Sequence, residues 1–304
     1  MLKRTVGRSR AGWTIPKRRN VMTRALSCCL TLVGFIGVPS AFADLVGVDV
    51  TTGTLYSVSE SNGSLSAIGN TGITGAWADI TYAPGGTLYG FTDSAATTPT
   101  LYTINPTTAA TTPVGPLNIG FVFEGGLAIT PGGVAYGMNT GANSSAGLFN
   151  INLSTGVATA IGTVTGATDI NGLVYRSDGM LIGLDDNTNS LLVINPVTLT
   201  SAFLAAVPTS VGAVGGMTID KGVGYYITAG PSLGGSDALY SFNLFSGAST
   251  LVGNLGLTDG GLSGLAAPMT TVPEPSEFWV LAALFLIGAF VAKCAQLVSS
   301  QAAA

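Results

Sequence analysis

Histidine does not occur anywhere in this chain of 304 residues. Its absence removes the commonest general base and the commonest metal ligand, and with them any Ser-His-Asp arrangement. Cysteine is nearly as scarce. Cys28 and Cys29 lie in an apolar run near the N-terminus and Cys294 follows a second apolar run near the C-terminus. The body between them has none, which excludes disulfides and a Cys/His zinc site there. Charged residues make up 9% of the chain, too few for amphipathic helices with charged outer faces, and helical periodicity is absent from the body. Eight of the eleven basic residues fall in the first 24 positions. Between Asp44 and Thr271 only Arg176 and Lys221 are basic, against thirteen acids. A phosphate-binding face needs clustered cations, so nucleic acid is excluded as a partner.

What is abundant points to short strands and tight turns: 43 glycines, and 47% apolar residues. One phrase recurs five times, as Leu55-Tyr56, Leu101-Tyr102, Leu148-Phe149, Leu191-Leu192 and Leu239-Tyr240, at spacings of 46, 47, 43 and 48 residues. The last four copies run on into Ile-Asn or Phe-Asn. Each copy leads through a turn to a short strand, which in all but the fourth ends near an Ile-Gly or Val-Gly pair. A second phrase precedes the later copies, as in Ile80 to Gly90 and Leu127 to Gly137. Each unit therefore reads as four short antiparallel strands in about 45 residues, the size of a propeller blade. Leu45-Val46-Gly47-Val48 matches the second strand of a unit, and Gly261 to Ala266 matches a first strand with no second strand after it. The two fragments complement each other. The expected fold is all-β, a five-bladed β-propeller over 44–268 closed by a split blade, with an open β-solenoid of the same repeats as the alternative. Closing the ring removes sheet edges that would otherwise pair with other chains.

Both ends carry export features. Residues 1–43 read as a signal peptide with a helical apolar run over Ala25 to Val38, and Met22 is an alternative start. Ala41 and Ala43 are the small residues a signal peptidase reads, which places cleavage before Asp44. At the other end a linker, 269–277, carries Val272-Pro273-Glu274-Pro275-Ser276. Phe278 to Ala292 follows as fifteen uncharged, mostly apolar residues before Lys293. As a helix this run is about 22 Å long, so a transmembrane segment over 278–298 must extend past Lys293, whose stem can snorkel.

The Val-Pro-Glu-Pro-Ser motif followed at once by an apolar helix resembles the PEP-CTERM sorting signal of Gram-negative bacteria. The resemblance covers residues 272–293 and departs from the family in having the single Lys293 where an arginine cluster is usual. It implies an inner-membrane stage held by the C-terminal helix, an exosortase-type sorting enzyme as partner beside signal peptidase, delivery to the cell surface or the extracellular space, and an association with exopolysaccharide and biofilm.

Candidates for chemistry are few. Asp79, Glu124, Asp169 and Asp259 each stand just before the first strand of a unit, near one mouth of the expected channel. They are candidate ligands for Ca²⁺, which takes six to eight oxygens, or for sugar hydroxyls; turn capping is the competing role. Trp77 is the aromatic placed to meet a ligand there. The oxygen-rich Asp185-Asp186-Asn187 stretch reads as a solvated loop, and recurrent tyrosines such as Tyr82, Tyr102 and Tyr240 read first as inter-blade packing. No residue is assigned a catalytic role and no cofactor is required, Ca²⁺ being the one candidate. The expected function is an exported surface or matrix protein that binds without catalysing. The alternative is a secreted propeller enzyme, a Ca²⁺-assisted lactonase, lyase or glycoside-acting protein using the channel-mouth carboxylates.

Overall fold

The computed structural model describes residues 45–93, 98–120, 122, 125–140 and 146–268. The expected signal peptide, the linker with the motif that resembles a sorting signal, and the apolar C-terminal run all lie outside them. Twenty strands form five four-stranded antiparallel sheets. The second blade is β4 (Trp77–Tyr82), β5 (Leu88–Thr92), β6 (Thr100–Ile104) and β7 (Thr111–Pro116). The third is β8 (Gly125–Ile129), β9 (Ala135–Thr140), β10 (Ala146–Ile151) and β11 (Ala158–Thr163). The fourth is β12 (Ile170–Tyr175), β13 (Leu181–Asp185), β14 (Ser190–Asn195) and β15 (Thr200–Ala206). The fifth is β16 (Gly215–Asp220), β17 (Val223–Thr228), β18 (Ala238–Phe242) and β19 (Ser249–Asn254). The first blade is composite: β1 (Leu45–Asp49), β2 (Thr54–Val58) and β3 (Leu65–Asn70) are joined by β20 (Leu262–Ala266) in the order β20-β1-β2-β3. β4, β8, β12, β16 and β20 adjoin one another around the axis, closing the ring. Val46 pairs with Ala266, so the two ends of the domain, Leu45 and Pro268, leave from the same face.

The burial pattern follows the position in the blade. β8, β20 and β13 are buried at every residue, whereas β3, β7 and β19 carry two consecutive exposed positions. Pro113 and Pro116, which cannot donate to a ladder, are tolerated because β7 is an outer edge.

The recurrent Leu-Tyr phrase marks a β-bulge at the same place in all five blades. The register with the outer strand shifts between Leu55 and Tyr56, Leu101 and Tyr102, Leu148 and Phe149, Leu191 and Leu192, and Leu239 and Tyr240. A bulge bends and twists its strand. Here it leaves one outer-strand residue without a cross-strand partner: Ile68, Val114, Ile161, Leu204 or Val252. Each of these packs into a cluster shared with the next blade. Ile68 packs against the cluster that contains Leu88 and Ile104 of the second blade, and Val252 against the one that closes the ring with Leu45 and Val58. The domain thus has five cores, one between each pair of blades. Full burial of such a side chain contributes about 1.5–3 kcal/mol, and these five, being half-buried, contribute less.

The glycine after the bulged residue admits the neighbouring blade. A Cβ on Gly115 would stand 2.1 Å from the Thr155 carbonyl oxygen, and one on Gly253 would stand 2.0 Å from that of Asn62. In the second to fifth blades the corresponding turns are held by the Asn at the end of the third strand, and in the first Ser59 takes that place. Asn195 Oδ1, for example, accepts from the Val197 and Thr198 amides at 2.9 and 3.0 Å. Asn105, Asn152 and Asn243 repeat this in their blades.

Replacing Gly115 by Ala is expected to cost about 1–3 kcal/mol, because backbone must move to admit the methyl group. Gly120→Ala, at an exposed site with open space around the added carbon, is expected to be neutral. Thermal melts of the two variants beside the parent check this; equal melting temperatures would contradict the interlocking of blades described here.

Candidate functional site

The central channel has two dissimilar mouths. At the upper mouth, where the inner strands begin, the opening between Trp77, Ala78, Asp93, Gly125, Asn171, Val214 and Gly215 measures about 10 Å³, room for one water at most. At the lower mouth, where they end, a hollow of about 400 Å³ is lined from all five blades, within the range of small-ligand sites. Thr81, Tyr82, Ile129, Tyr175, Ser177, Thr218, Asp220 and Lys221 contribute, and Ala267 and Pro268 complete the wall as the chain leaves β20.

Asp79 lies between the mouths, with no solvent exposure. Its Oδ1 accepts from the Ile80 amide at 2.8 Å and its Oδ2 from the Leu127 amide of the next blade at 2.7 Å. The amides of Leu265 and Leu173 also turn toward the carboxyl. Burial pushes its pKa well above the usual carboxylate range, and the four amides pull against that shift.

The other expected ligands do not join it. Asp169 stands beside Asp186. Asp259 accepts from the Gly261 amide at 3.2 Å and lies within electrostatic reach of Asp49 and Asp237. Glu124 lies outside the described residues, as do Ala41, Ala43, Asp44 and the motif Val272, Pro273, Glu274, Pro275 and Ser276. The carboxylates of Asp79, Asp169 and Asp259 therefore occupy three separate environments, because they sit at different offsets along their strands. Among the described residues no three Asp, Glu, Cys or His side chains gather closely enough to hold a metal ion, and no helix is long and apolar enough to cross a membrane. Trp77 is 1% exposed. Its indole donates to Thr71 Oγ1 at 3.1 Å and packs edge-on to Tyr102 at 5.8 Å, so it is a core residue with only an edge at the upper mouth. The Gly230-Pro231-Ser232-Leu233-Gly234 stretch has nucleophile-elbow spacing, but it forms a single 3-10 turn over Pro231–Leu233 in a chain with no histidine.

Sequence reasoning missed a second set of polar residues. Asp49, Thr92, Asn139, Asp185 and Thr228 hold the same position near the end of each second strand, and all but Asn139 are nearly or fully buried. Asp49 accepts from the Thr51 and Thr52 amides, Thr92 from that of Thr100, Asp185 from those of Thr168 and Thr188, and Thr228 from that of Ala238. Asp49, Thr92, Asp185 and Thr228 thereby tie down loops of the upper face. Their signal was the recurrence of a polar residue two places after the second-strand glycine, where the fifth blade carries Tyr226.

The two cations of the body are spent on ties between blades. Arg176 forms a two-pronged pair with Asp178, donates to the Leu244 carbonyl at 2.9 Å and lies 4.9 Å over the Phe245 ring of the fifth blade. Lys221, paired with Asp220, reaches Glu60 of the first blade at 3.7 Å.

No family model and no curated protein matches the chain. Among solved structures it is similar to a chain of the nidogen/laminin complex, with a TM-score of 0.48 and 11% identity over 74% of this chain and 98% of that one. It is also similar to TolB from Acinetobacter baumannii, with a TM-score of 0.45 and 12% identity over 81% of this chain and 62% of that one. Hydrazine synthase from Kuenenia stuttgartiensis gives a TM-score of 0.38 and 16% identity over 58% and 49%.

Several buried acids of this domain have raised pKa values. Burial, then the charge of Asp169, lifts Asp186 to about 7; burial raises Asp49 and Asp237 in the same direction. A carboxyl whose folded pKa exceeds its unfolded value of about 3.9 destabilises the fold increasingly as pH rises between the two values. The melting temperature is therefore expected to fall from pH 4 to pH 7.5. Asp186→Asn, which removes the repulsion with Asp169, should raise stability at pH 8 and leave it unchanged at pH 4. An equal effect at both pH values would show that the pair does not titrate as described.

Proposed function

We propose that this chain is an exported protein of the cell surface or extracellular matrix whose propeller binds without catalysing, with exopolysaccharide as the ligand class. The observation that carries the reading is the motif Val272 to Ser276, directly followed by an apolar run and paired with an N-terminal signal. The lower hollow supports it as a binding surface. Tyr175 offers aromatic surface, the largely buried Tyr82 offers an edge, and Thr81, Ser177 and Thr218 offer hydroxyl groups, a combination suited to uncharged, hydroxyl-rich ligands. A second reading, a secreted Ca²⁺-assisted lactonase, lyase or glycoside-acting enzyme, draws on the Asp169–Asp186 pair, which holds a proton near neutral pH.

Secreted material is expected to begin Asp44-Leu45-Val46-Gly47 on N-terminal sequencing and to have lost the apolar C-terminal run by intact mass. The full-length chain should be retained on exopolysaccharide, with at least tenfold weaker retention for the Tyr82→Ala, Tyr175→Ala double variant. A secreted chain that keeps its C-terminus contradicts the sorting reading. Retention that ignores both tyrosines contradicts the hollow as the binding surface. Calcium-dependent turnover of a lactone or glycoside would favour the enzyme instead.

A further inference from the structure

Aligning the five inner strands on the residues that follow Asp79, Gly126, Gly172, Gly216 and Gly264 puts four glycines and one aspartate at a single position facing the axis. The glycines are required by distance. A Cβ on Gly126 would lie 2.5 Å from Leu173 Cβ, on Gly172 2.7 Å from Met217 Cγ, on Gly216 2.5 Å from the Leu265 nitrogen, and on Gly264 2.7 Å from the Ile80 nitrogen. Each step points to the residue after the next strand's glycine. Asp79 continues the series, its carboxyl meeting the amide of Leu127, the residue after Gly126. Donors from β4, β8, β12 and β20 thus turn to one carboxyl at the axis.

Strand amides pointing inward from separate blades form a concave set of fixed positive dipoles, the arrangement that backbone nests use to hold anions. Four of the five blades supply no side chain that could answer them. We propose that the propeller axis is an anion-binding site whose resident ligand is the chain's own Asp79 carboxyl group, and that a small carboxylate from solution occupies the site when that side chain is removed. The site selects by size and by a pair of acceptor oxygens, so formate fits better than acetate, and chloride, with no second oxygen, fits poorly.

The test uses the full-length chain and three variants. Asp79→Gly installs the residue of the other four blades. It is expected to lower the melting temperature by roughly 5–15 °C, since several buried donors lose their acceptor. Sodium formate should restore part of that loss with a saturable dependence, acetate less, and sodium chloride of equal ionic strength none. The parent, its site already filled, should not respond. Asp79→Asn keeps the volume filled, so it should be destabilised yet insensitive to formate, which separates site occupancy from a general salt effect. If Asp79→Gly does not fold, hydrogen exchange on the parent decides: the Ile80 and Leu127 amides should be among the slowest in the domain. Formate and chloride melts that coincide for Asp79→Gly, an Asp79→Gly variant as stable as the parent, or rapid exchange at Ile80 and Leu127 would each overturn the proposal.

Discussion

Five blades lie toward the low end of the propeller range, and with so few the inner strands crowd the axis. The inner strands approach so closely that a single methyl group has no place on four of them, and the polar backbone groups they turn inward are cut off from water. Unpaired donors in such a setting cost more than their partners gain. Asp79 resolves this by placing one small acceptor group where several donors meet. Because the donors belong to different blades, the carboxyl also fixes the relative height of strands that share no ladder. Burial of the acid is costly in itself, as its raised pKa records, and the amides around it offset that cost.

Away from the axis the same repeat solves a different problem, joining sheets that make few hydrogen bonds to each other. The bulge, the apolar residue it turns outward and the glycine that follows operate as one device, repeated with small substitutions around the ring. The fourth blade uses Ala205 where the others use glycine, and there it is Gly247 of the fifth blade that makes room, its added carbon falling 2.4 Å from Ala205 Cβ. Polar ties remain local and specific. With two cations in the body, both bridging neighbouring blades, little positive charge is left on the surface for recognising an anionic partner.

The number of blades and the split first blade were legible because a period near 45 residues survives in the apolar phrases, and because the fragments at 45–48 and 261–266 complement each other. The axis was not legible in the same way. Side chains along a strand alternate sides, so a shift of one residue changes which surface a residue faces. Asp79 is level with the inner glycines, Asp169 precedes its glycine by three residues and Asp259 by five, and a loose alignment of acids merges these into one mouth. Anchoring the alignment on the glycines would have separated them. Trp77 misled for a related reason: its strand begins at the mouth, but its ring turns into the core between the first two blades. The turn-holding set of Asp49, Thr92, Asp185 and Thr228 mixes acids and hydroxyls, a class shared by hydrogen-bonding capacity and hidden from a search by residue type.

The composite blade gives the domain a mechanical direction. Leu45 and Ala266 sit at the same end of an antiparallel pair, so a force that separates the two chain ends opens β1 from β20 one hydrogen bond at a time, as a zipper opens. A force between Pro268 and the opposite face instead loads β20 along its length, and its bonds to β1 must yield together. Held by its C-terminal strand and pulled from its far side, the ring resists tension in shear, the stronger of the two geometries.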